Sequence, residues 1–213
     1  MTEIQEQQVR ITVDRVTLDG TLALTAGAAG IVIFAHGSGS SRLSPRNTFV
    51  AGILQRAGIG TLLFDLLTRE EDADYARRFD IDLLAARLVG ATHWLAALPG
   101  CGESAIGYFG ASTGAAAALR GAAELGGRVG AVVSRGGRPD LALPYLDKVL
   151  APTLLIVGEH DREVLQLNRL ALARLAASRE LAVVPGATHL FEEPGTLEQA
   201  ANLAKEWFLR YLR

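Results

Sequence analysis

The chain has 213 residues, 49 % of them apolar and 21 % charged, with a mean hydropathy of +0.23. That suits one globular domain burying about 70 % of the surface its unfolded form exposes, and it is not the composition of a disordered or collagen-like chain. With 21 basic against 23 acidic residues and one cysteine, Cys101, the chain has no electrostatic footprint for nucleic acid or an anionic membrane and no means of building a disulfide framework or a multi-cysteine metal cage.

The first ten residues are polar and include Glu3 and Glu6, so no signal peptide is expected. No apolar run approaches the roughly 20 residues of a membrane-spanning helix, and the cytoplasm is the expected location. Val9, Ile11 and Val13 alternate with polar residues, and apolar runs flank Asp19-Gly20, which predicts an antiparallel hairpin turning at that dipeptide. Five β-rich apolar runs come next, at 30–35, 61–64, 105–109, 129–133 and 153–157, and a sixth at 180–184. Near-continuous hydrophobicity of this kind marks parallel strands covered on both faces.

Between the runs, apolar residues recur three and four apart: Phe49, Ile53 and Ala57; then Ile81, Leu84, Leu88 and Leu95; then Leu197, Ala201, Ala204 and Phe208. These spacings predict helices with those residues as packing faces, and residues 115–119 and 164–177 are further good helix formers. Strand and helix alternate to the end, so the prediction is a single α/β domain over residues 1–213 with a mostly parallel sheet. The segment 136–151 is too short for an inserted cap domain, which leaves an open site mouth.

Ligands of such sheets sit beyond the carboxyl ends of the strands. After the first parallel run comes His36-Gly37-Ser38-Gly39-Ser40-Ser41; after the third, Gly110-Ala111-Ser112-Thr113-Gly114; after the fifth, Gly158-Glu159-His160-Asp161; after the last, Gly186-Ala187-Thr188-His189. Ser112 lies between glycines two residues away on either side, which a nucleophile held on a sharp strand-to-helix turn requires. A serine hydroxyl needs a base oriented by a carboxylate. His189 is the best-placed base; His36 reads as structural, His93 lies mid-helix, and His160 faces away. Asp161 is favoured as the carboxylate over Asp140, which can simply start a helix. Backbone amides of Ser38 and Thr113 are the expected oxyanion donors, with Gly39 as a substitute for Ser38.

These pieces resemble the α/β-hydrolases of the dienelactone-hydrolase-like branch, from about Val9 to the C-terminus. The matching segments are HGSGSSRLSPRN at 36–47, GYFGASTGAAAAL at 107–119, SRGGRPDL at 134–141, LLIVGEHD at 154–161 and VPGATHLFEEPG at 184–195. The resemblance implies a mostly parallel sheet with an antiparallel N-terminal hairpin, helices on both faces and no cap. It also implies a small hydrolase of carboxylic esters or lactones, forming an acyl-enzyme on Ser112 with no cofactor and no metal. True dienelactone hydrolases carry a cysteine where this chain has Ser112, and Cys101 precedes the strand of the elbow, so it reads as a structural thiol.

Arg42, Arg46, Arg135 and Arg138 lie near the expected strand ends. Guanidinium binds carboxylate or phosphate bidentately, and Arg135 is the candidate substrate contact; surface ion pairing is the plainer reading. The expected partner is a small-molecule ester or lactone, not nucleic acid or a membrane, and the chain is expected as a monomer or homo-oligomer. Three other classes stand beside this one: a binding protein on the same fold, an acyltransferase or thioesterase using the same triad, and a dinucleotide-binding protein. The last is disfavoured because Arg42 occupies the third glycine position of its fingerprint.

Overall fold

In the computed structural model, which describes residues 4–25 and 27–212, eight strands form one sheet in the order β1-β2-β4-β3-β5-β6-β7-β8. They are β1 (Ile4–Val13), β2 (Val16–Thr25), β3 (Ile31–Ala35), β4 (Gly60–Phe64), β5 (Ile106–Ala111), β6 (Val129–Arg135), β7 (Thr153–Gly158) and β8 (Arg179–Val184). From β4 to β8 every neighbouring pair is parallel, whereas β2 runs antiparallel to both β1 and β4. Every residue of β3, β4, β5 and β7 is buried, as their unbroken apolar runs require.

The hairpin is present, but it turns elsewhere than predicted. Asp14 and Arg15 make the connection, with Asp14 at φ 52°, while Asp19 and Gly20 lie inside β2 opposite Arg10 and Val9. Gly20 answers a close approach of strands: a Cβ there would lie 3.0 Å from Val9 Cγ2 and 3.3 Å from the Leu63 carbonyl oxygen. A glycine beside an aspartate therefore signals crowding here and not a turn.

The described residues form six α-helices, α1 (Pro45–Arg56), α2 (Arg69–Ala73), α3 (Ile81–Ala96), α4 (Thr113–Leu125), α5 (Arg162–Arg174) and α6 (Thr196–Tyr211), all but the short α2 packed against the sheet. One apolar layer joins the sheet to α3, α4 and α5 through Leu84, Leu88, Ala116, Leu119 and Ala171. The opposite layer joins it to α1 and α6 through Val50, Leu54, Ala201, Ala204 and Phe208. The predicted face of α3 is buried at Leu84, Leu88 and Leu95, but α1 is rotated relative to its predicted stripe. Phe49 is 42 % exposed, and Asn47, Val50, Ala51 and Leu54 face the sheet, because the Ser44 cap and Pro45 start the helix in that phase.

Segment 136–151 contains a ten-residue 3-10 stretch, Pro139–Lys148, which packs on α4 and α5. The mostly parallel sheet, its antiparallel start and its two helical layers are the arrangement that the resemblance implied. Among the described residues no helix is long and apolar enough to cross a membrane.

Candidate active site

β5 occupies the middle of the sheet, and Ser112 follows it directly at φ 51°, ψ −122°. A side chain rarely adopts that backbone conformation, and holding it there costs on the order of 1–3 kcal/mol. The turn is possible only because its flanks are bare. A Cβ at Gly110 would collide with Ala115 Cα, and one at Gly114 with the Ala35 carbonyl oxygen, so α4 starts hard against the ends of β3 and β5. Ser112 is the N-cap of α4, yet its hydroxyl makes no capping hydrogen bond. The hydroxyl is left at the positive end of a 13-residue helix.

Two strands away, β7 ends at Gly158 and delivers Asp161, and the loop after β8 delivers His189. His189 Nδ1 donates to Asp161 Oδ2 at 2.6 Å, with the two side chains 38 % and 13 % exposed. That bond fixes the orientation of the ring, and Nε2 has no hydrogen-bond partner among the described residues. Ser112 and His189 flank the same two residues. The Ser112 amide donates to the Arg135 carbonyl at 3.3 Å, and a Cβ at Gly136 would lie 3.2 Å from the His189 carbonyl oxygen and 3.5 Å from its ring. No hydrogen bond joins Ser112 Oγ to His189 among the described residues; such bonds commonly tighten only when substrate arrives.

Asp140 is occupied elsewhere. Arg138 donates to both of its carboxylate oxygens, at 2.8 and 2.7 Å, in the first turn of the 3-10 stretch. Of the two carboxylates weighed from sequence, the structure brings only Asp161 to His189.

Ser38 and Thr113 meet, although not only through the groups expected. The Ser38 amide donates to Thr113 Oγ1 at 2.9 Å, so the threonine hydroxyl stands where the Ser38 amide points. The Thr113 amide belongs to the first turn of α4, where the helix supplies no acceptor. The loop sits over the serine: a Cβ at Gly37 would lie 3.1 Å from Ser112 Cβ. His36 anchors this loop, its Nδ1 donating to the Gly37 carbonyl and its Nε2 accepting from the Leu66 amide, both at 3.0 Å. Burial pushes its pKa down, in keeping with a neutral structural imidazole. His93 and His160 are exposed. Burial pushes the Cys101 thiol up, which suits the structural role read for it.

Arg135 ends β6 in register with Ala111, one residue before Ser112. It is only 7 % exposed, and its Nε and Nη1 have no hydrogen-bond partner. Its guanidinium lies 5.7 Å from the ring centre of Phe191. Burial, with a smaller push from Arg46, lowers its pKa to about 10. The other three arginines singled out from sequence all have carboxylate partners: Arg42 with Asp65, Arg46 with Glu192 and Arg138 with Asp140. Sequence reasoning missed both the Thr113 hydroxyl and Phe191; the available signals were adjacency to Ser112 and a position two residues beyond His189.

The dienelactone hydrolase family model matches residues 18–213. A crystal structure of a dienelactone hydrolase from Anabaena variabilis is 57 % identical, with a TM-score of 0.96 over 99 % of each chain. Est1E from Butyrivibrio proteoclasticus shares the fold at 16 % identity, with a TM-score of 0.82 over 95 % of this chain and 98 % of that one. Two Mycobacterium tuberculosis proteins with a provisional phosphoribosyl transferase name are 56 % identical over 209 residues. The match covers 98 % of this chain and 47 % of each of theirs, so the chain spans about half the length of these curated relatives.

Proposed function

Because this chain belongs to the dienelactone hydrolase family and is built as a hydrolase of the α/β-hydrolase fold, we propose that it cleaves small carboxylic esters or lactones through an acyl-enzyme on Ser112. The observation that carries this reading is the strained serine elbow beside an Asp161–His189 pair closed at 2.6 Å.

In this mechanism His189 Nε2 takes the Ser112 proton as Oγ attacks the acyl carbon, and the Nδ1–H bond to Asp161 stabilises the imidazolium that forms. The tetrahedral oxyanion is held by the amides of Thr113 and Ser38. In the resting site the Ser38 amide is on Thr113 Oγ1, so the substrate oxygen shares or replaces that hydroxyl as acceptor. Breaking the ester C–O bond sends the alcohol out with the proton from Nε2. Water then attacks the acyl-enzyme by the same route, releasing the acid and restoring Ser112. Arg135 serves as the substrate contact on the neighbouring strand end.

The phosphoribosyl transferase name of the mycobacterial relatives belongs to proteins about twice this length. For the part that this chain covers, Ser112 supports acyl chemistry. A fluorophosphonate probe should label the wild-type protein on Ser112 and leave Ser112→Ala unlabelled, and short-chain aryl esters should be hydrolysed only by the wild type. Equal labelling of the two proteins would refute the assignment.

A further inference from the structure

Residues on β6 alternate between faces, and Arg135 shares the side of Ala131 and Val133, which pack in the α1 and α6 layer. A guanidinium buried there without an anion is costly, and a stem as long as arginine's could have carried the charge to water. Among the described residues it has no ion pair; Phe191, whose ring centre lies 5.7 Å from its guanidinium, is followed directly by Glu192, which holds Arg46, so the loop after β8 draws a second cation toward it. Arg46 is the second residue of α1, so the positive end of that 12-residue helix adds to the same region. The partner of Arg46 is Glu192, at 3.3 Å and 65 % exposed, a surface pair that a better acceptor displaces readily.

Arg135, unpartnered at the end of β6, and Arg46, held by an exposed carboxylate at the start of α1, bring two positive charges to the carboxyl end of the sheet. Once Glu192 gives way, a single carboxylate would leave one of the two positive charges unmatched. A phosphate monoester carries about −1.5 to −2 charges at neutral pH on three acceptor oxygens, enough to engage both arginines. We propose that Arg135 and Arg46 seat the phosphate of a phosphorylated carboxylic ester or lactone, so that the phosphate serves as a handle while Ser112 attacks the acyl carbon one strand away. The phosphate ester itself stays intact; the bond broken is the carboxylic one. This inference rests on the hydrolase reading of Ser112, and its test separates the two.

Ser112→Ala protein is titrated calorimetrically with phenyl phosphate, inorganic phosphate and benzoate. Phenyl phosphate should bind saturably and at least about 10-fold more tightly than benzoate. Adding Arg135→Met should weaken that binding by about 10- to 100-fold, and adding Arg46→Gln several-fold. Melting curves give an independent readout. Arg135→Met should raise the ligand-free Tm, because an unpaired buried charge is gone, and should abolish the upward shift that about 10 mM phosphate gives the single Ser112→Ala variant. Benzoate binding as tightly as phenyl phosphate would overturn the proposal, as would a phosphate shift that survives Arg135→Met. If neutral esters are hydrolysed but no phosphate binds, this inference fails and the hydrolase reading stands. If phosphate binds through Arg135 but no ester is turned over, the anion site stands and the hydrolase reading fails.

Discussion

Among the described residues, five α-helices start on a residue able to cap its own first turn, and they divide into two groups. Ser44, Thr68 and Asp80 do so: Ser44 accepts from the Asn47 amide, Thr68 from Glu71 within a reciprocal capping box, and Asp80 from Leu83. Ser112 and Asp161 occupy the same position on α4 and α5 and make no capping hydrogen bond. Capping contributes about 1 kcal/mol, so these two helices forgo local stability. The Asp161 carboxylate is on His189 instead, and the Ser112 hydroxyl is held on a strained turn. The same residue type at the same helical position is structural in one half of the molecule and, in the proposed mechanism, chemical in the other. What distinguishes the two groups is where the side chain's hydrogen bond goes.

The sharpest way to break this comparison is at Ser112. Ser112→Ala should remove ester hydrolysis, a loss on the order of 10⁶-fold in kcat, and leave stability almost unchanged because no cap is lost. Ser112→Gly should be equally inactive yet more stable, since glycine tolerates the positive φ of 51° that the serine is forced into. A gain of about 1 kcal/mol would raise Tm by about 2–4 °C, measurable by calorimetry. A Tm below that of wild type would show that the turn is not strained.

Next in size is the carboxylate pair. Asp161→Asn should lower kcat by about 10⁴-fold, because the amide can hold His189 in the wrong tautomer. Asp140→Asn loosens only its pairing with Arg138, a partly exposed interaction of about 0–1 kcal/mol, and should leave kcat near wild type. Steady-state kinetics on one aryl ester decides between them; a larger loss at Asp140 would reverse the assignment.

That choice between Asp140 and Asp161 marks the limit of what the residue order discloses. The strand ends were legible because buried parallel strands are unbroken apolar runs, so the loops carrying Ser112, Asp161 and His189 could be located at the carboxyl end of each run. The turn at Asp14-Arg15 was hidden, because nothing local shows that Gly20 is a contact point between strands and not a bend. The phase of α1 was hidden too, because Phe49 and Val50 are both apolar and the start of the helix decides which one faces the sheet. Arg135 was legible as a charge near a strand end, but its lack of a partner emerges only when α1, β6 and the loop after β8 are assembled. The hydroxyl of Thr113 on the Ser38 amide joins residues 75 apart in the chain, a spacing that no periodicity reports.

Histidine offers a smaller version of the same contrast. His36 spends both ring nitrogens on backbone groups and is buried, whereas His189 spends one on Asp161 and has no hydrogen-bond partner for Nε2 among the described residues. His36→Ala should therefore destabilise the fold by about 1–3 kcal/mol through the unpaired Gly37 and Leu66 groups. It also carries a pH signature. Burial lowers the folded-state pKa of His36 below its ordinary value of 6.5, so below pH 6.5 the unfolded chain binds the extra proton first. The contribution of His36 is then complete above that pH and is lost as pH falls toward the lowered value. Urea melts at pH 7.5 and 5.5 should show wild type and His36→Ala further apart at the higher pH; a gap that widens at pH 5.5 would contradict a neutral, buried imidazole.

The smallest effect lies on the structural side of the opening contrast. Asp80→Ala removes an acceptor that the Leu83 amide uses at 3.0 Å, and with it the favourable charge at the start of the 16-residue α3. That should cost about 1 kcal/mol and lower Tm by about 2–4 °C with kcat unchanged. Asp161→Asn gives the opposite pairing, since α5 takes no cap from that side chain: kcat collapses while the helix keeps its stability. Two aspartates at equivalent helix positions would then separate along perpendicular axes, one moving Tm and the other moving turnover. If Asp80→Ala lowered kcat, or Asp161→Asn lowered Tm by as much as Asp80→Ala does, the destination of the cap's hydrogen bond would not be what divides structural from chemical residues in this fold.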